Sequence, residues 1–347
     1  MPYDAEIRRG NPSLVIFLID QSGSMDDPCE KAQDATKELN GLIANLVGRC
    51  VKVNGVWNLF YVSFLGYADE VRSLWKLSQD DLIPIATVAN NPIRVEEKTQ
   101  RVFDEAGGLQ QMKIPIWFDV VANGSSSMCA AITRASEICE SWIRQHPDSY
   151  PPTVINISDG SPTDGNPTNA AQRLKGVVGN DGGVLLWNKH ISSSSRTEAV
   201  YYPESDAGLP DNSARLLYDI SSILPEQHQN YLSNMGYSVS NKSRCFVSNG
   251  ALLGALSHVP KYTMPLTGKL CSCSSKSCAC QALLPLWAKF CDKCGHSQTE
   301  IMKEIHTENA GSKFTQRRIC PVHKFGLSYD RSKNRYVCPM CEASRVA

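Results

Sequence analysis

The sequence predicts an α/β protein with a doubly wound, mostly parallel sheet, followed by a small cysteine-rich module. Six consecutive apolar residues, Leu14–Ile19, run into Asp20 without alternation, which is typical of a strand buried on both faces at the centre of a parallel sheet. Strand-like and helix-like segments then alternate as far as about Val259, which indicates an α/β fold. Nine of the 14 cysteines fall between Cys271 and Cys341.

Length and composition indicate one large domain and one smaller unit. The 347 residues exceed an average domain, and we predict the division as residues 1–260 and 261–347. The polar start, Met1 to Arg9, does not resemble a secretory leader, and no apolar stretch is long enough to span a bilayer. Close cysteine pairs indicate metal ligation in a reducing compartment, so we expect a cytoplasmic protein without a membrane partner.

Each element is predicted from its own residue pattern, helices from apolar spacing and strands from aromatic and β-branched runs. The predicted strands are Leu14–Asp20, Trp57–Gly66, an edge partner within Asp69–Leu77, Thr153–Ser158, Gly183–Ile191 and Cys245–Val247. The predicted helices are Ala32–Val47, Met128–Arg144, Ala170–Val178, Ser213–Leu224 and a closing helix that begins at Ala251. Between Leu82 and Gln111 the pattern weakens, which indicates an insertion with a small hairpin around Arg101–Phe103.

Oxygen-bearing side chains follow the first strand at once. Asp20, Ser22 and Ser24 place one carboxylate and two hydroxyls on the turn at the carboxyl end of that strand, where open α/β sheets bind their ligands. Mg²⁺ prefers one or two carboxylates together with neutral oxygens and waters. The alternative is a simple turn, because Ser and Gly favour turns in any case.

Three segments resemble the metal motifs of the von Willebrand factor A domain, which form its metal-ion-dependent adhesion site. Asp20-Gln21-Ser22-Gly23-Ser24-Met25 is similar to the first motif, and Val154–Gly160 to the third. Ile116–Ile132 resembles the second, with Ser126 where the family usually has Thr and Ser125 as a competing candidate. The resemblance implies Mg²⁺, with Mn²⁺ or Ca²⁺ as alternatives, held by Asp20, Ser22, Ser24, Ser126 and Asp159.

Further along the chain, His190 ends a predicted strand and is a weaker candidate for the rim of this site. A single histidine at a strand end is more often a packing or hydrogen-bonding residue than a metal ligand.

Cysteine pairs in the tail predict two structural zinc sites. Cys291-Asp-Lys-Cys294-Gly295 forms a knuckle in which the glycine permits a tight turn. Its partner pair stays open, because Cys278 and Cys280 have the ribbon-like spacing while Cys271 and Cys273 are alternatives. A unit this small has too little core to fold without metal. We therefore expect two Zn²⁺, one at Cys278, Cys280, Cys291 and Cys294 and the other at Cys320, His323, Cys338 and Cys341.

An A domain followed by a zinc ribbon resembles a bacterial subset associated with tellurite-resistance and stress operons, some implicated in phage defence. The resemblance implies a metal-dependent protein-binding scaffold or adaptor that acts beside a protein kinase and a protein phosphatase. A partner's acidic residue would complete the shell of the ion. We expect no enzymatic activity, because the motifs lack a phosphate-cradling loop and a nucleophile-and-base pair.

The alternative function is nucleic-acid binding or sensing by the zinc-ribbon tail. Residues Lys313–Ala347 hold eight Lys or Arg against two acidic residues, although the whole chain is balanced at 35 against 35. A basic face of this kind can contact phosphates. Few aromatic side chains accompany it, so we expect a protein partner instead.

Overall fold

The computed structural model describes residues 3–26, 31–52, 55–101, 109–119, 121–192, 198–252 and 254–256, with four short strands nearer the C-terminus. The chain divides into two compact units. The first comprises Met1–Leu46, Asn58–Asn91 and Phe118–Pro260, and the second comprises Val47–Trp57, Pro92–Trp117 and Lys261–Ala347. The domain boundary between residues 260 and 261 stays a prediction, because both residues lie outside the described ranges.

The strands are β1 (Ser13–Asp20), β2 (Val51–Lys52), β3 (Gly55–Val56), β4 (Phe60–Tyr67), β5 (Val71–Ser73), β6 (Ile83–Pro84), β7 (Arg94–Arg101), β8 (Leu109–Ile116), β9 (Thr153–Ser158), β10 (Val178–Gly179), β11 (Gly182–Gly183), β12 (Leu185–His190), β13 (Val200–Tyr201), β14 (Phe246–Ser248), β15 (Lys269–Leu270), β16 (Leu283–Leu284), β17 (Ser328–Asp330) and β18 (Arg335–Val337). The helices are α1 (Lys31–Cys50), α2 (Ile85–Asn90), α3 (Met128–Gln145), α4 (Thr168–Lys175), α5 (Asn212–Ile220) and α6 (Glu226–Asn234). A 3₁₀ turn, Gly23–Met25, follows β1.

A mixed, mostly parallel sheet forms the centre of the first unit, which confirms the predicted α/β class. Its strand order is β13-β14-β12-β9-β1-β4-β5, and β6 also pairs with β4. The strands β14, β12, β9, β1 and β4 run parallel, whereas β13, β5 and β6 are antiparallel to their neighbours. Every residue of β1 is buried, as the unbroken apolar run predicts.

Side chains cover both faces of the sheet. Leu14, Ile16 and Leu18 pack into a core with the apolar faces of α3, α4 and α5. On the opposite face Phe17 stacks on Phe64 at 5.3 Å between ring centroids, and Phe64 contacts Phe118 at 4.7 Å. The helix α1 is tied to this second face, because the side chain of Asn40 donates to the Phe118 carbonyl at 3.0 Å. Helices on both faces make the sheet doubly wound.

The predicted elements agree with the structure wherever the apolar pattern is long. Strand β9 has the predicted bounds, and α3 extends one residue beyond them. The edge hairpin is present as β4 and β5. The predicted insertion contains α2 and a hairpin, β7 with β8, that is longer than predicted and pairs Arg94 with Ile116.

Several parts of the prediction were wrong or incomplete, and the short strands β2, β3, β6, β10, β11 and β13 were not predicted. The closing helix is absent from the described residues 251–252 and 254–256, where the chain forms a turn. In this segment Leu252 N donates to the Glu38 carboxylate and Gly254 N to the Tyr202 hydroxyl. The helix α6 was not predicted, because only His228 and Leu232 of its residues are buried.

The predicted zinc ligands of the tail all lie outside the described residues. Within the described ranges Cys50, Cys139 and Cys245 are buried, and Cys129 is partly exposed. No helix in these ranges is long and apolar enough to cross a membrane.

Candidate metal site at the carboxyl edge of the sheet

The topology of the sheet brings two acidic residues to one crevice. Strand β1 lies between β4 and β9 and is parallel to both. The chain passes from β1 to β4 on one side and later returns to the other side with β9, so a topological switch point lies between β1 and β9. Open α/β sheets bind ligands outside the carboxyl ends of the strands at such a switch point. Asp20 is the last residue of β1, and Asp159 directly follows β9.

The carboxylate of Asp20 is the buried centre of the site, with 1% of its surface exposed. Its Oδ1 accepts from the Ser22 backbone at 3.0 Å and from the Ser22 hydroxyl at 2.5 Å. Its Oδ2 accepts from the Ser158 hydroxyl at 2.6 Å and from that of Ser126 at 3.4 Å. Burial raises the pKa of Asp20, hydrogen bonds from Ser158 and Ser22 lower it, and the Asp159 charge raises it. A buried carboxylate of this kind gains from a nearby cation.

The hydroxyls around Asp20 have a spacing that suits a small divalent ion. The Oγ atoms of Ser22 and Ser24 are 3.0 Å apart, and Ser126 Oγ lies 3.4 Å from Asp20 Oδ2. Octahedral ligands at about 2.1 Å from Mg²⁺ lie about 3 Å from one another. Ser24 is exposed whereas Ser22 is buried, so the cluster opens to solvent on the Ser24 side. The donor set therefore fits a hard divalent cation.

Backbone hydrogen bonds fix the first two motif loops against each other. Gly23 N donates to the Gly124 carbonyl at 2.8 Å, and Asn123 N donates to the Gln21 carbonyl at 2.7 Å. Ser127 N donates to the Ala68 carbonyl at 3.0 Å. These bonds hold Ser22 and Ser126 in one arrangement around Asp20.

The third loop is joined to the second in the same way. Ser126 N donates to the Thr163 hydroxyl at 2.9 Å, and Thr163 N donates back to the Ser126 carbonyl at 2.9 Å. The carboxylate of Asp164 accepts from the backbone of Cys129 and Ala130 and so caps the first turn of α3. A helix start, two loops and two strand ends are thus locked together.

The two serines that compete in the second motif have different positions. The backbone and hydroxyl of Ser125 both donate to Asp69 Oδ1 at 2.8 Å, and these bonds lower the pKa of Asp69. Gly124 has φ +85°, and a Cβ there would lie 2.7 Å from Asp69 Oδ2, so the close approach requires glycine. Ser126, by contrast, is buried and faces Asp20.

Asp159 stands beside Asp20 but carries its own counter-ion. Lys31 Nζ lies 2.8 Å from Asp159 Oδ2, and both side chains are about 95% buried, with 3% and 5% exposed. Asp159 Oδ1 accepts from Ser161 N at 3.3 Å. Two carboxylates and one ammonium leave one net negative charge in the crevice.

His190 is buried, and its ring nitrogens lie near Ser248 on β14 and Asp211 before α5. Its Nδ1 lies 2.9 Å from Ser248 Oγ, and its Nε2 lies 3.6 Å from Asp211 Oδ1. Burial lowers the pKa of His190, and the Asp211 and Asp159 charges together with a hydrogen bond to the Asp159 backbone oppose this shift. This resembles a serine, histidine and acid triad, but Ser248 and His190 are 0% and 1% exposed, which leaves no access for a substrate.

A chain of buried polar side chains lies behind the site. The Tyr67 hydroxyl donates to Asn156 Oδ1 at 2.8 Å, and Asn156 Nδ2 donates to Asn188 Oδ1 at 2.9 Å. Asn188 Nδ2 then donates to the Ser221 hydroxyl and to the Leu217 carbonyl at the end of α5. Burial raises the pKa of Tyr67 well above its ordinary value. This chain links β4, β9 and β12 across the sheet.

Sequence reasoning missed several residues of the site: Lys31, Asp69, Ser158 and Thr163. Ser158 precedes the motif aspartate directly, and a hydroxyl at the end of a buried strand was the available signal for it. Lys31 and Asp69 belong to other segments, and nothing in their local sequence links them to Asp20. In the part of the chain that the structure describes, no three His, Cys, Asp or Glu side chains form a metal-binding group. Hydroxyls are the other oxygen donors that the structure places around Asp20.

Comparisons with known proteins give only remote structural likenesses. No protein-family model and no curated protein matches the sequence. Proximal thread matrix protein 1 from the mussel byssus is 15% identical, with a TM-score of 0.37, over 72% of this chain and 46% of that one. A structure of that protein with a zinc-occupied MIDAS motif is 16% identical, with a TM-score of 0.34, over 61% of this chain and 42% of that one.

A pilus adhesin, SpaC from Lactobacillus rhamnosus GG, is 12% identical, with a TM-score of 0.35, over 61% of this chain and 27% of that one. An aerotolerance-related membrane protein from Bacteroides fragilis is 16% identical, with a TM-score of 0.27, over 51% of this chain and 67% of that one. The chain spans less than half the length of the mussel protein. These TM-scores are too low to establish a shared fold, so the site is interpreted from its own residues.

Proposed function

We propose that this chain is a metal-dependent protein-binding module, in which Asp20, Ser22, Ser24, Ser126 and Asp159 hold a divalent cation. The observation that carries this proposal is a cluster in which the Ser22 and Ser126 hydroxyls contact the buried carboxylate of Asp20 and the Ser24 hydroxyl contacts that of Ser22, at spacings that suit an octahedral ion. The resemblance of the three motifs to the von Willebrand factor A domain supports the same ligand set. Mg²⁺ is the expected ion, with Mn²⁺ or Ca²⁺ as alternatives.

The charge of the crevice indicates an acidic partner. A divalent cation would change the one net negative charge of Asp20, Asp159 and Lys31 into one net positive charge. When bound, the ion would supply a coordination position that a carboxylate oxygen can fill. A partner's Asp or Glu side chain suits that position, because an anion gains from the net positive charge and from the ion itself.

We do not propose an enzyme. Among the described residues His190 and Ser248 resemble a catalytic pair, and their burial excludes contact with a substrate. The operon context, with a kinase and a phosphatase as partners in stress response or phage defence, remains part of this proposal and rests on the resemblance alone. Nucleic-acid binding by the basic tail is the second candidate, and it rests on the charge excess of residues 313–347.

The class of function is tested by capturing partners from the native host with the tagged full chain in EDTA, in Mg²⁺, and in EDTA followed by Mg²⁺. We expect to capture a protein partner that is lost in EDTA and recovered when Mg²⁺ is added. The Asp20→Asn variant should not retain this partner in Mg²⁺. Partners that bind equally in EDTA and to Asp20→Asn would contradict metal-dependent binding. Nuclease treatment in parallel distinguishes protein partners from those held through nucleic acid.

The tail predicts a further measurable property, a zinc content of about two ions per chain. We expect elemental analysis of the full chain, purified without chelator, to show this content. Cys338→Ser should reduce it to about one, because that variant loses a ligand of one site only. Cys129→Ser, which alters a thiol on α3, is the matched control and should retain both ions. A zinc content near zero, or disulfides between the tail cysteines, would contradict the prediction.

A further inference from the structure

Lys31 has an unusual environment for a lysine of helix α1 (Lys31–Cys50). Its side chain is buried, with 3% exposed, although long charged side chains normally keep their charged ends in water. Burial removes the ammonium group from water and restricts a flexible side chain. A specific interaction has to offset these costs, and both act against folding unless something compensates for them.

The interaction that offsets them is the ion pair with Asp159. Nζ lies 2.8 Å from Asp159 Oδ2, which is the length of a charge-assisted hydrogen bond. Without this ammonium, two buried carboxylates, Asp20 and Asp159, would face each other, since their charges interact. Uncompensated buried charges are strongly destabilising. The pair thus offsets one of the two negative charges of the crevice from within the protein.

We propose that Lys31 is a built-in counter-cation that holds Asp159 when no divalent ion is bound and thereby lowers the affinity of the site for that ion. The inference rests on the proposed function, because it concerns the same metal site. A divalent ion at Asp20 has to bind close to the Lys31 ammonium, which repels it. The ion also has to share the Asp159 carboxylate with Lys31 or displace Lys31 from it. Both effects weaken binding, whereas the site keeps its structure in the metal-free protein.

Two consequences follow for the behaviour of the site. The site fills at a higher free concentration of the ion than it would without Lys31, because the ion competes with a tethered cation. Partner binding through the ion is then reversible by changes in ion concentration. In the loaded site the ammonium adds to the positive charge that an acidic partner meets.

The test compares Mn²⁺ binding by the full chain and by Lys31→Met, with the free ion followed by electron paramagnetic resonance. Lys37→Met is the matched control, because Lys37 is an exposed lysine of the same helix. Asp20→Asn gives the background from any other Mn²⁺ site. We expect Lys31→Met to bind Mn²⁺ on the order of tenfold more tightly than the unmodified chain, and Lys37→Met to bind it unchanged.

Lys31→Gln, a neutral and polar replacement, provides a second variant and should show the same tightening. If the Lys31 variants fold only in the presence of Mn²⁺, that dependence supports the counter-cation role, and failure to fold at saturating Mn²⁺ overturns it. Equal Mn²⁺ affinities for the unmodified chain, Lys31→Met and Lys31→Gln would overturn the role of Lys31 and leave the metal site standing. No Mn²⁺ bound above the Asp20→Asn background would overturn both the inference and the proposed function.

Discussion

Replacing Asp20 with asparagine is expected to weaken divalent-ion binding by about a hundredfold or more. The change keeps the size of the side chain but removes the buried charge on which the hydroxyls of Ser22, Ser126 and Ser158 converge. Because a ligand that binds only the folded state raises its stability, Mg²⁺ should increase the melting temperature of the unmodified chain. We expect this increase to vanish in Asp20→Asn.

Asp26→Asn is the matched control for this experiment. Asp26 is an exposed carboxylate in the same loop, next to the 3₁₀ turn, and the structure gives it no contact with Asp20. Its replacement should preserve the Mg²⁺-dependent increase in melting temperature. A full increase in Asp20→Asn would show that the ion binds elsewhere.

Replacing Asn156 with leucine is expected to cost roughly 3 kcal/mol or more of unfolding free energy. Asn156 is fully buried and stands between the Tyr67 hydroxyl and the Asn188 amide. A leucine has a similar size but leaves both neighbours without their shared partner inside the sheet. Urea denaturation, followed by circular dichroism, measures the change.

Asn90→Leu provides the comparison on the surface. Asn90 is exposed at the end of α2 and donates only to the Ala86 carbonyl in its own helix. Surface substitutions of this kind usually change stability by about 0.5 kcal/mol or less. An Asn156→Leu variant as stable as Asn90→Leu would mean that the buried polar chain contributes little to folding.

The central sheet was predictable because its signals are local. Long apolar runs and helical spacing predicted β1, β9 and α3 nearly to the residue. The segment in place of the predicted closing helix is held by distant contacts instead: Leu252 N donates to Glu38 and Gly254 N to Tyr202, both far away in sequence. No local pattern reports such contacts.

The candidate site was likewise predictable only where its signals are local. Its oxygen donors were predictable from three short motifs at strand ends, and the structure brings Asp20, Ser22, Ser24 and Ser126 into one hydrogen-bonded cluster. The Lys31 ion pair was not predictable, because Lys31 and Asp159 are 128 positions apart in sequence. Lysines are common in helices, and the sequence does not show that the side chain of Lys31 is buried.

Crystals of the full chain grown with Mn²⁺ would test the metal site most directly, through the anomalous scattering of the ion. We predict an anomalous peak within about 2.2 Å of the Ser22 and Ser24 hydroxyl oxygens, close to Asp20 and Ser126 and absent from Asp20→Asn crystals. A fully ordered Asp20 cluster without an anomalous peak, at an ion concentration that saturates binding in solution, would contradict the proposed metal site.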